Sequence, residues 1–142
     1  MAYIDWKEIY ETGLEIIDHQ HKNLIEYLNE LHYAQNNVAD EYFVNESIQK
    51  LEDYTRYHFT TVENLYEKHG YSVDDNHFIK QDYFFEQIEI LKENIEKNNL
   101  LSSLRTIAFL KHWTINHILA IEHELAFSFK AKVNSNTDCL TV

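Results

Sequence analysis

Proline is absent from this 142-residue chain, and only two glycines, Gly13 and Gly70, interrupt it. With so few residues that break a helix, long helices are expected and a turn-rich β fold is not. Cysteine is almost missing as well. The single Cys139 has no partner in the chain, which excludes an intrachain disulfide framework and a thiolate metal cluster. Basic residues are scarce: 12 Lys and Arg stand against 24 Asp and Glu, for a formal net charge of −12. That balance argues against partners that present phosphates, nucleic acid and anionic membrane surfaces alike. No apolar run is long enough to span a bilayer, and MAYIDWKEIY at the start lacks the basic flank and apolar stretch of a secretory leader. A cytoplasmic location is the expectation.

What the chain does have is bulk. Hydrophobic residues make up 44% of it and include ten Tyr and eight Phe, enough for one well-buried core in a single domain over 1–142. Residues 1–17 read as an irregular arm, with Trp6, Ile9, Tyr10, Leu14 and Ile17 to pin it and a bend at Gly13. Apolar residues then recur in helical steps through four segments. The first, about 18–36, follows a cap at Asp18 and carries Leu24, Ile25, Leu28 and Leu31. The second, about 41–69, follows Asp40, stops at Gly70 and has the seam Val44, Ile48, Leu51, Thr55, His58, Val62, Leu65. The third, about 75–97, opens after a cap among Ser72, Asp74 and Asp75 and has His77, Gln81, Phe84, Ile88, Leu91 and Ile95. The fourth, about 101–128, has Leu104, Ile107, Leu110, Thr114, His117, Ile121 and Leu125, and 129–142 form a polar tail. Four amphipathic helices on short links predict an all-α fold, an antiparallel up-down-up-down four-helix bundle with an N-terminal arm.

Each helix brings one histidine to its inward seam: His21, His58, His77 and His117. A lone buried histidine is ordinarily a satisfied packing residue. Four on four facing seams can meet at one interior level, which is how bundles build metal sites. His19, His32, His69, His112 and His123 sit at helix ends or flanks, where solvated or hydrogen-bonding roles are expected. Imidazole with carboxylate and no thiolate suits iron, zinc, manganese or copper rather than calcium. The carboxylate in question is Glu122, five residues after His117. On an ideal α-helix that spacing turns about 140°, so the two side chains diverge unless Glu122 reaches between two ions. The competing reading makes Glu122 a solvated flank residue.

Several stretches taken together carry a resemblance: Trp6 in the arm, IDHQHKNL over 17–24, His58-Phe59, His77, and HWTINHI over 112–118. Over almost its whole length the chain resembles the hemerythrin family, and within it the single-domain bacteriohemerythrins. The resemblance implies a four-helix bundle holding two non-haem irons that bind dioxygen reversibly for storage, delivery or sensing, an oxygen-binding protein more than an enzyme. It implies a metal set of His21, His58, His77, His117 and Glu122, with Phe59, Val62 and Trp113 lining the ligand pocket. Dioxygen or a similar small ligand is the implied partner, nucleic acid and membrane are not, and a monomer is expected.

The family pattern has one histidine on the first helix, His-x-x-x-Glu on the second, His-x-x-x-His on the third and His-x-x-x-x-Asp on the fourth. This chain departs from it at three positions. Glu122 stands for the aspartate, Val62 for the bridging glutamate and Gln81 for the second histidine of the third helix. Valine cannot ligate, whereas a glutamine carbonyl can do so weakly or its amide can hydrogen-bond a bound ligand. Glu63, beside Val62, reaches the site only if the helix rewinds through a π-bulge. Three outcomes follow: a weakened two-iron site, a site with one iron or another metal that activates oxygen or peroxide, or a metal-poor bundle used in regulation or interaction.

Overall fold

The computed structural model describes residues 2–37, 41–70 and 75–122, with the backbone alone for 75–77 and 120–122. Within them lie four helices, α1 (Glu15–Asn36), α2 (Glu41–Lys68), α3 (Asp75–Glu96) and α4 (Leu100–Asn116), and α4 runs on into a π-helical turn, His117–Glu122. Among the described residues there is no strand. α1 packs on α2 and α4, and α3 packs on α2 and α4, so the four close around one core as a four-helix bundle.

The seam spacing is what buries this core. Leu28 and Leu31 of α1, Ile48 of α2, Ile88 and Leu91 of α3, and Ile107 and Leu110 of α4 are all fully buried. Each such side chain contributes about 1.5–3 kcal/mol by leaving water, and the shared period of three and four lets all four helices present one apolar stripe inward. Polar and charged residues take the outside. One buried acid, Glu52, sits on α2, where Lys92 Nζ reaches it at 2.9 Å and Arg56 at 3.6 Å.

Helix ends follow local chemistry. Gly70, at φ 76°, takes the left-handed conformation that ends α2 cheaply without a Cβ. Asn99 caps α4 by accepting the Ser102 N–H at 3.1 Å. Asp18 does not serve as the first helical cap, since α1 begins a turn earlier at Glu15. Gly13, at φ 81°, folds the incoming chain back over that turn. The Asp18 carboxylate therefore accepts from the Thr12 N–H at 2.8 Å, the Thr12 hydroxyl at 2.7 Å and the Gly13 N–H at 3.1 Å. The expected caps at Asp40 and Ser72 to Asp74 lie outside the described residues, as do 123–142.

The segment before α1 is held at several points. Ile4 and Tyr10 are buried. The Ile4 N–H donates to Asn29 Oδ1 at 2.7 Å, and Asn29 Nδ2 donates back to the Ile4 carbonyl at 2.9 Å. A short 3-10 turn over Glu8–Tyr10 then packs on the π-helical turn at the end of α4. The segment thereby covers the end of the bundle at which α4 passes into that turn.

Candidate metal centre

Three of the four seam histidines converge. His21 from α1 and His58 from α2 are fully buried, and His117 from the end of α4 is 4% exposed. One nitrogen from each lies within 4.8 Å of the others, a geometry that can hold a metal ion. Ring centroids are 4.9 Å apart for His21 and His58, 6.0 Å for His58 and His117, and 6.4 Å for His21 and His117. Helical register explains the meeting: His58 lies three residues after the buried Thr55, and His117 three after the buried Thr114.

A polar relay fixes His58. Its Nδ1 lies 2.7 Å from Gln20 Oε1. The Thr61 hydroxyl donates to the Tyr57 carbonyl at 3.1 Å and accepts from Gln20 Nε2 at 3.1 Å. Because the Thr61 proton is committed to Tyr57, its oxygen must take a proton from the glutamine amide, and that leaves the Gln20 carbonyl to accept from His58. His58 thus carries its proton on Nδ1 and offers the Nε2 lone pair to the cluster, the orientation that metal-binding histidines require. Gln20 is 2% exposed. In the sequence Gln20 is one letter of IDHQHKNL, and a polar residue beside a seam histidine ordinarily marks a surface position.

Aromatic rings enclose one side of the cluster. Trp113 stacks on His117, with centroids 4.9 Å apart and planes 12° from parallel. The buried Phe59 stands 5.6 Å from His117 and 5.9 Å from Trp113. A groove of about 720 Å³ between α3 and α4, lined by Tyr83, Phe109, Trp113, Asn116 and His117 among others, brings the edge of His117 toward solvent.

The remaining positions are placed as follows. Val62, one turn beyond His58, is fully buried in an apolar patch with Ile17, Leu14 and Leu65. Gln81 on α3 is buried at 8% exposure. Glu63 is half-buried, and α2 stays α-helical across 62 and 63, so it points about 100° away from the inward Val62 direction. Without a π-bulge there, the rewinding that would bring Glu63 inward does not occur. The π-helical winding falls instead at His117–Glu122. In a π turn, residue i+5 is the backbone partner of residue i, so the register of 117 and 122 is that of one turn rather than the 140° divergence of an α-helix. The side chains of His77 and Glu122 lie outside the described residues.

His32, His19 and His112 stand apart from this cluster. His32 stacks on Tyr3 at 3.6 Å, and Lys111 Nζ lies 4.4 Å from the centre of the Tyr3 ring. Burial, joined by the Lys111 charge, lowers the His32 pKa below its ordinary 6.5. His19 is exposed beside Asn23, and His112 is exposed on the α3–α4 groove.

Comparison with known proteins finds relatives of one kind. No protein-family profile matches the chain. The bacteriohemerythrin of Stenotrophomonas maltophilia is 33% identical over 135 residues, covering 94% of this chain and 86% of the relative. The bacteriohemerythrin of Pseudomonas aeruginosa is 30% identical over 118 residues, covering 83% of this chain and 76% of the relative. The myohemerythrin of Theromyzon tessulatum is 26% identical over 128 residues, covering 90% and 92%. With a four-helix bundle, a buried histidine cluster and relatives of this similarity over nearly its full length, the chain belongs to the hemerythrin family.

Proposed function

We propose that this protein binds non-haem iron at its seam histidines and takes up dioxygen or a related small ligand, such as nitric oxide, for storage, delivery or sensing. The observation that carries the reading is the buried convergence of His21, His58 and His117 with ligand nitrogens within 4.8 Å. The residues fit the ion: neutral imidazoles suit ferrous iron, and the Gln20 relay already presents His58 in the coordinating tautomer. His77 and Glu122 are further ligand candidates on the strength of the family pattern. The π-helical register of 117 and 122 supports Glu122 in that role. Bound iron would supply open coordination positions for a diatomic ligand. The chain's own part is to orient the imidazoles, to exclude bulk water with Phe59 and Trp113, and to admit small molecules along the α3–α4 groove. Among the described residues no helix is long and apolar enough to cross a membrane.

Ferrous iron added anaerobically and followed by elemental analysis and visible absorption tests the proposal. Bound iron with charge-transfer absorption that appears on exposure to air or nitric oxide and reverses on purging is the expected result, lost in His58→Ala. A protein that retains no iron after desalting would refute it.

A further inference from the structure

Resting on that reading, we infer that the site holds one metal ion per chain, on His21, His58 and His117, and not a pair. Three buried imidazole nitrogens within 4.8 Å of one another can gather on one ion. A second divalent ion beside the first brings four positive charges into a space lined by neutral groups, and only carboxylates between the ions can offset their repulsion. The position of the bridging glutamate is apolar here, and the position of the second histidine on α3 holds a weaker ligand. Val62, one turn from His58, is fully buried against Ile17, and the buried Gln81 offers a second ion at best a weak carbonyl ligand.

No other described acid substitutes for them. Glu63 stays off the inward direction because α2 is α-helical through 62 and 63. Glu52, the buried carboxylate on the same helix, is engaged by Lys92 at 2.9 Å and Arg56 at 3.6 Å. It also lies six residues before His58, roughly 9 Å along the helix axis. Even with Glu122 counted, one carboxylate would face both ions. A single ion brings half that charge and has no neighbouring ion for a bridging carboxylate to screen.

The count bears on the ligand. A pair of ferrous ions can give up two electrons together, whereas one gives up one readily. The ligand class that fits a lone ferrous ion is therefore a diatomic that binds with transfer of one electron or none, nitric oxide before dioxygen.

The test is iron stoichiometry in the full chain, loaded anaerobically with ferrous iron and desalted, beside the double variant Val62→Glu/Gln81→His. One iron per wild-type chain and two in the double variant are expected. Wild-type protein with nitric oxide should give the paramagnetic resonance signal of an isolated ferrous nitrosyl in a yield equal to its iron. Two irons in the wild type, or a spin-coupled nitrosyl, would overturn the inference while leaving iron binding intact. No iron in the wild type would overturn the functional reading itself. One iron in a double variant whose circular dichroism matches the wild type would also overturn the inference, because the missing ligands would then not set the count. Should the double variant fail to fold, the wild-type count and nitrosyl signal decide the matter alone.

Discussion

Replacing Gln20 by leucine removes the acceptor for the His58 Nδ1 proton while keeping the side chain's bulk. Both residues are buried, at 2% and 0% exposure, and their contact is 2.7 Å. In the metal-free variant the imidazole can move its proton to Nε2 and lose little. Binding an ion through Nε2 forces the proton back to Nδ1, where no carbonyl now receives it, so the penalty falls on the metal-bound state. A buried donor left unmade costs about 1–3 kcal/mol, which is about 5- to 150-fold in affinity at 1.4 kcal/mol per factor of ten. That range overlaps the roughly 10–100-fold found when partners of metal-binding histidines are removed. Anaerobic competition of ferrous iron between the protein and a chelator measures it directly, with thermal unfolding of the metal-free forms as a control on folding. Gln20→Glu, which keeps an acceptor oxygen, should bind within a few-fold of the wild type. Affinity in Gln20→Leu unchanged within a factor of two, or Gln20→Glu as weak as leucine, would refute the relay.

Two further outcomes rest on parts of the molecule away from the proposed iron ligands. Ile48→Ala, at a side chain with 0% exposure, should lower unfolding free energy by about 2–5 kcal/mol in urea titration, and a loss below about 1 kcal/mol would mean the core collapses around the gap. His32 is held below its ordinary pKa of 6.5 first by burial and then by Lys111. The unfolded chain takes up that proton more readily than the folded one, so the contribution is intact above 6.5 and lost as pH falls from there through the lower folded-state value. His32→Asn should flatten the difference in urea midpoint between neutral and mildly acidic buffer, and an unchanged slope would remove His32 from the account.

The features of this protein that depend on one helix at a time were legible in its sequence. Absent proline and steps of three and four gave helices, and the same steps put Ile48, Ile88 and Leu110 inside, because burying an apolar stripe needs only periodicity. The seam positions of His21, His58 and His117 came from that period too, and the departures at Val62 and Gln81 were visible as letters against a family pattern. Particular side-chain contacts between segments were not legible. Gln20 lies one residue off the seam, and only the approach of α1 to α2 turns its amide into the partner of both His58 and Thr61. Asp18 looked like a helix cap until Gly13 folded the preceding chain onto it.

The winding at the end of α4 is the sharpest such case. His117 and Glu122 are five residues apart in any reading of the chain, and an ideal α-helix separates their directions by about 140°. Sequence alone determined that a histidine and an acid stand at that interval. The tertiary structure decided that the interval is wound as a π turn, packed under the Glu8–Tyr10 segment. A change in helical winding has a local cost, and contacts from a remote segment of the chain are what can offset it.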